Sequence, residues 1–364
     1  MSILNKRVSN DPVRQGHQGG VDTGNINPLY VEEYADAVEV RFLKQSFMRN
    51  YFTLKTVRGT DTVSNDRMGS TELQKVTRGK RPVDHAPTFD NVSVKVDTIV
   101  LARTNQFLLE DFQERYSVRQ DIGMEHGREI GKFFDESFVV QGIKGAQITS
   151  KDPEGNLSGG WQDAINPGSH TLPAVIERTA PKDFHGGAIT VLAQAGDESD
   201  PELMERAIRR VCQTIEENDV DIEDAILLVR PSVYYTLLDN DKLISKDFSA
   251  DGGDFANGEV LKSNGVRIHK TNRFPKQSDI GVEHKLSNAG NGYAYNVTQV
   301  DVNCEALLLM PKAFLAGETI PLTSNVHYSD IELQWFIDSY IAYAVTPNRA
   351  EHIGAVFKAD PTQA

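Results

Sequence analysis

The chain has 364 residues, 39% of them hydrophobic and 25% charged, with 28 glycines and 15 prolines, the composition of a turn-rich folded protein long enough for two domains. Its formal net charge of −14 excludes generic binding of nucleic acid or anionic membranes by the whole surface, and its longest apolar runs, 225–229 and 306–310, are too short to cross a bilayer. The two cysteines, Cys212 and Cys304, lack any zinc or redox spacing, and the N-terminus lacks a secretory signal, so the sequence predicts a reduced chain that stays in the cytoplasm where it is made.

Residues 1 to about 30 are polar and read as an arm with no core of its own. Residues 29–52 alternate aromatic and charged positions, as a short helix or an extended segment feeding into strand would. Residues 54–57 then read as an outgoing strand, 59–87 as a polar and basic stretch, and 92–101 as the returning strand of a long hairpin. From 41 to 82 there are ten Lys and Arg against three acids, a local +7 that leaves −21 on the rest. The cluster Lys75, Arg78, Lys80 and Arg81 has three readings: nucleic-acid contact, pairing with an acidic neighbouring subunit, or plain solvation. The first is weakened by the absence of interleaved aromatics for base stacking.

The most strongly patterned stretch is 117–141. Ser117 and Gln120 form a candidate capping box, and Ile122, Ile130, Phe133, Phe134 and Phe138 recur at three- and four-residue spacing, which predicts a long amphipathic helix ending before Gly142 and Gly145. Gly123, Gly127 and Gly131 share one line of this helix at a cost of about 1 kcal/mol each against alanine. Close packing of another backbone along that edge would compensate; a helix that merely carries three weak positions is the alternative.

Residues 145–196 are loaded with Gly, Pro, Ser and Asn and predict a loop-rich insertion. Asp200, Pro201 and Glu202 open a helix with Leu203, Ala207, Ile208, Val211 and Ile215 on one face. A buried strand at 225–229 precedes a second helix from Pro231, with Val233, Tyr234, Leu237 and Leu238 inward. Strands are predicted at 266–269, 294–302 and 306–310, in the alternating segment 331–345, and at 355–357.

Catalytic signatures are sparse. His185, Gly186 and Gly187 have the form of an esterase oxyanion turn, but no G-x-S-x-G nucleophile accompanies them. No phosphate-binding loop and no H-E-x-x-H pair occurs, and His126 reads as a polar contact rather than a ligand. Asp247, Ser249 and Asp251 followed by Gly252 start like a calcium loop, yet position twelve is Gly258 with Glu259 one residue late, so a mobile acidic loop is the better reading. No cofactor, metal or enzymatic activity is expected.

The order of elements, and above all 42–143 with Tyr116-Ser117-Val118-Arg119 leading into the Gly127 helix, together with 345–357, resembles the major capsid proteins of tailed bacteriophages, in their podovirus branch. The resemblance implies an α+β Hong Kong-type capsid fold: an N-terminal arm at 1–53, an extended loop at 54–97, a peripheral domain at 98–185 and 320–364 carrying the spine helix 117–141, and an axial α/β domain at 186–319. It also implies homo-oligomeric hexamers and pentamers that form an icosahedral virion shell, made and assembled in the bacterial host cytoplasm and enclosing packaged double-stranded DNA without specific recognition. The partners it implies are a separate scaffolding protein, a portal protein and a decoration protein, with no membrane. Two other readings are an encapsulin-like compartment and a hydrolase built on the His185 turn.

Overall fold

The computed structural model describes residues 28–69, 71, 73–79, 81–82, 86–107, 118–166, 173–240, 243 and 262–359. The chain opens with helices α1 (Pro28–Gln45) and α2 (Met48–Tyr51), then strands β1 (Lys55–Thr56), β2 (Thr62–Met68), β3 (Phe89–Lys95) and β4 (Val100–Phe107). Helix α3 (Val118–Ala146) leads to β5 (Ile148–Lys151), β6 (Leu157–Ser158), β7 (Ile176–Thr179) and β8 (Ala188–Val191). Then follow α4 (Pro201–Glu217), β9 (Ile226–Val229), α5 (Pro231–Leu238), β10 (Lys262–Ser263) and β11 (Val266–Lys270). Helix α6 (Gln299–Val302), β12 (Cys304–Leu309), β13 (Phe314–Ser329), β14 (Gln334–Pro347) and β15 (Ile353–Phe357) complete the order.

Two compact units divide the chain: Met1–Asp61, Val96–Asp135 and Gly317–Ala344 form the first, and Thr62–Lys95, Glu136–Ala316 and Val345–Ala364 the second. The first is built on a four-stranded sheet in the order β1-β13-β14-β4. In it β14 runs antiparallel to β4 from Gln334↔Phe107 to Ile341↔Val100. Tyr34 and Val38 of α1 share a buried cluster with Val326, Trp335 and Ile337 of this sheet, so the helix covers one sheet face.

The second unit is organised on a six-stranded mixed sheet, β10-β11-β9-β12-β15-β8. Residues 226–229 are buried on both faces, which is why they read as an unbroken apolar run rather than an alternating one. Helix α4 begins as its sequence predicts: Asp200 caps it by accepting from the N–H groups of Glu202 and Leu203, and Pro201 occupies the first turn. Its Met204, Ala207, Ile208, Val211 and Ile215 pack on Leu227, Leu308 and Val356 of the sheet, and burying each such side chain contributes about 1.5–3 kcal/mol. Among the described residues no helix is long and apolar enough to cross a membrane.

Four expectations are corrected. The hairpin strands are β2 and β3, paired from Thr62↔Lys95 to Met68↔Phe89; residues 55–56 instead run parallel to β13, and the predicted return strand 92–101 is two strands in different sheets. The long helix does not stop at Gly142 but runs 29 residues to Ala146. A Cβ at Gly142 would meet Leu307 at 2.9 Å and Leu309 at 3.2 Å, so this glycine serves close packing on β12 and not termination. Residues 145–196 are not an irregular insertion, because they hold the three-stranded sheet β6-β5-β7 and supply β8 to the main sheet. Residues 294–302 form turns and α6 instead of a strand, since Thr298 and Asp301 close a capping box that starts a helix. The capping residue Ser117 and the calcium-like segment 247–259 lie outside the described residues.

Several histidines are held neutral by the fold. Burial, the largest cause in each case, lowers the pKa of His126 and takes His284 and His352 down to about 4. The unfolded chain therefore binds more protons than the folded one between about pH 6.5 and 4, so stability from these groups is complete above pH 6.5 and lost as pH falls through that window. Burial raises Glu305 and Glu351, whose contribution runs the other way, falling as pH rises above the ordinary glutamate range. The histidine part is isolated by comparing thermal melts at pH 7 and pH 5 for the wild type and for His284→Asn/His352→Gln. The double variant is expected to show a shallower fall, by about 1–2 kcal/mol per histidine after allowance for partial exposure; parallel pH profiles would refute it.

Candidate functional site

The glycine line of α3 lies against α1. Both helices carry a four-residue repeat: Gly123, Gly127 and Gly131 on α3, and buried Tyr34, Val38 and Phe42 on α1. A side-chain ridge of one helix seats in the groove left by the missing side chains of the other. A Cβ built on Gly123 would lie 2.9 Å from Tyr34 Cδ2, and one on Gly131 would lie 3.1 Å from Gln45 Cβ. At Gly127 it would run into the main-chain carbonyl oxygen of Val38, nearer than real Cβ contacts come, with Phe42 N at 3.2 Å. Gly127 is thus the point of closest backbone approach.

Polar contacts lock the same crossing. Tyr34 Oη lies 2.7 Å from His126 Nδ1 and 2.5 Å from Ser339 Oγ, and His126 Nε2 lies 2.7 Å from Thr104 Oγ1. Tyr34, His126 and Ser339 are all buried, so this network ties α1 to α3, β14 and β4. At the far end of α1, buried Asp135 accepts from Ser46 Oγ and from the N–H groups of Phe47 and Met48, capping α2. His126, read from the sequence as a polar contact, occupies that role.

The hairpin is anchored by a residue that sequence reasoning missed. Val63, Arg67 and Val92 are buried on the inner face of β2 and β3, whereas Met68 and Phe89 are exposed on the outer one. Arg67 donates from Nη1 to the carbonyl of Asn348 at 2.6 Å, pairs with Asp90, and lies 4.9 Å above the Phe184 ring. Arg178 donates to the carbonyls of Pro347 and Asn348, and burial, followed by the charge of Arg67, lowers its pKa to about 10. An arginine on the apolar side of an alternating strand was the available signal.

Of the basic cluster, Lys75, Arg78 and Arg81 are exposed on the loop joining β2 to β3, and Lys80 lies outside the described residues. The two glycines of the His185 turn are not oxyanion donors: Gly186 N–H donates to the carbonyl of Ser158 and Gly187 N–H to that of Ile148. Cys212 and Cys304 are buried free thiols, and burial pushes Cys212 up to about 11, which makes it unreactive.

These features define an α+β protein in which a long glycine-edged helix joins two sheet-based units and a two-stranded ribbon carries a basic loop. It is the Hong Kong-type capsid fold. The chain is similar to a subunit of the bacteriophage PhiM1 mature capsid at 24% identity, with a TM-score of 0.67 over 86% of this chain and 87% of that one. It is similar to the capsid structure of the cyanophage P-SCSP1u at 16% identity, with a TM-score of 0.69 over 86% and 88%. The capsid of Ralstonia phage GP4 matches at 14% identity, with a TM-score of 0.54 over 87% and 92%. No protein-family profile and no curated protein sequence matches the chain.

Proposed function

We propose that this chain is the major capsid protein of a tailed phage, many copies of which tile an icosahedral shell of hexamers and pentamers around double-stranded DNA. The observation that carries this reading is a fold shared with the PhiM1 and P-SCSP1u capsid subunits over 86% of the chain. On this reading 1–53 is the arm, 54–97 the extended loop, 98–185 with 320–364 the peripheral domain, and 186–319 the axial domain. A separate scaffolding protein and a portal are its partners, and its location is the virion. The work of such a protein is assembly rather than turnover. Electron microscopy of the purified chain, with and without a scaffolding partner, tests it: shells or capsomers support the reading, and a discrete small oligomer with esterase activity overturns it.

The exposed basic loop is assigned to contacts between copies. A +7 stretch in a chain whose remainder carries −21 favours association by opposite patches, which salt screens. Reversing Lys75, Arg78, Lys80 and Arg81 to glutamate is expected to leave a folded subunit that does not assemble. Sedimentation velocity and circular dichroism check this, and shells formed in normal yield would sink it.

A further inference from the structure

An open cleft of 920 Å³ in the second unit has a charge opposite to that of the loop. Asp183, Asp219, Asp221, Glu223 and Asp224, all exposed, line it together with Glu351, and only Lys312 and Arg349 supply permanent positive charge. Glu351 differs from the others. It is 6% exposed, its Oε1 lies 3.5 Å from Arg349 Nη1, and its Oε2 has no hydrogen-bond partner. A buried carboxylate oxygen without a donor is costly, so a cationic donor reaching into the cleft would gain a charge-assisted bond there and Coulomb attraction from the exposed carboxylates. Burial raises the pKa of Glu351, although the charge of Arg349 acts to lower it. Among the described residues no three His, Cys, Asp or Glu side chains are grouped to hold a metal ion, so the fitting ligand is a long side chain with an ammonium or guanidinium head.

The chain itself carries such a ligand. Lys75, Arg78 and Arg81 stand exposed on the loop with Leu73, 99% exposed, and Val76, 70% exposed, so these two apolar side chains are not covered by their own subunit. The cleft also presents Val220 and Pro311, apolar surface for Leu73 and Val76. We infer that the acidic cleft bounded by Asp219–Asp224 and Glu351 is the receptor for the basic loop of a second copy of this chain, an inference that rests on the assembly reading above.

Paired charge reversals in the full chain test it. One variant reverses the cleft (Asp219→Lys, Asp221→Lys, Glu223→Lys, Asp224→Lys) and the other reverses the loop (Lys75→Glu, Arg78→Glu, Arg81→Glu), each with its fold checked by circular dichroism. Each alone is expected to lower the associated fraction in sedimentation about tenfold or more at low salt. Mixing the two is expected to restore association, because the basic loop of the first meets the acidic cleft of the second, and the acidic loop of the second meets the basic cleft of the first. Association of the cleft variant at the wild-type level overturns the inference. So does restoration only when both sets occupy one chain, which would place the loop in its own cleft. A wild type whose reversal-sensitive association stops at a small oligomer would support the docking and sink the shell reading; shells indifferent to cleft charge would do the reverse.

Discussion

Replacing Gly127 with leucine is expected to cost stability even though it removes a poor helix former. The gain in helix propensity is at most about 1 kcal/mol. Against it stands the Val38 carbonyl, in the path of any Cβ, and a main-chain atom cannot rotate aside as a side-chain end can. Overpacking of this kind costs about 1–3 kcal/mol, and the contact with backbone puts Gly127 at the upper end. At roughly 2–4 °C per kcal/mol for a domain of this size, the Tm should fall by several degrees. Gly123→Ala meets the edge of the Tyr34 ring at 2.9 Å and its carbonyl oxygen at 3.2 Å and should cost less, and Gly131→Ala, whose nearest neighbour is Gln45 Cβ at 3.1 Å, should cost least. A higher Tm for all three variants would mean that α1 does not pack on this edge in solution.

Arg67→Ala is expected to release the hairpin ribbon. The substitution removes a buried guanidinium, leaves Asp90 without its cation and the Asn348 carbonyl with only its longer bond from Arg178, and uncovers one face of Phe184. Breaking a buried ion pair by deleting one partner costs about 3–5 kcal/mol, and the partial exposure of Asp90 puts this pair at or below the lower end. The loss should appear first as faster hydrogen exchange at the paired amides of 62–68 and 89–95, while the six-stranded sheet keeps its protection. Arg67→Lys should rescue poorly, because an ammonium cannot both reach two acceptors in a fork and stack on a ring. Unchanged exchange of the ribbon in Arg67→Ala would show that the apolar contacts of Val63 and Val92 hold it without the arginine.

Much of this architecture is legible in the residue order because it depends on local physics. The start of α4 follows from Asp200 and Pro201, the buried strand at 226–229 from its apolar run, and α3 from a three- and four-residue repeat. The glycine line was visible too, as a local cost in helix propensity that calls for compensation. Its partner was not. Residues 29–52 fit a helix or an extended segment equally well by their alternation, and only the groove along α3 selects the helix that places Tyr34, Val38 and Phe42 four apart against it. Gly142 could not reveal by itself that α3 continues, since a glycine ends a helix in water but permits one to press against Leu307 and Leu309. The same holds for Arg67, a polar residue whose burial depends on Asn348 and Phe184, both more than 100 residues away in sequence. Periodicity and capping act within a few residues and are written in the chain. Close backbone approach, buried charge and the acidic cleft arise between segments distant in sequence, so only the tertiary structure decides them.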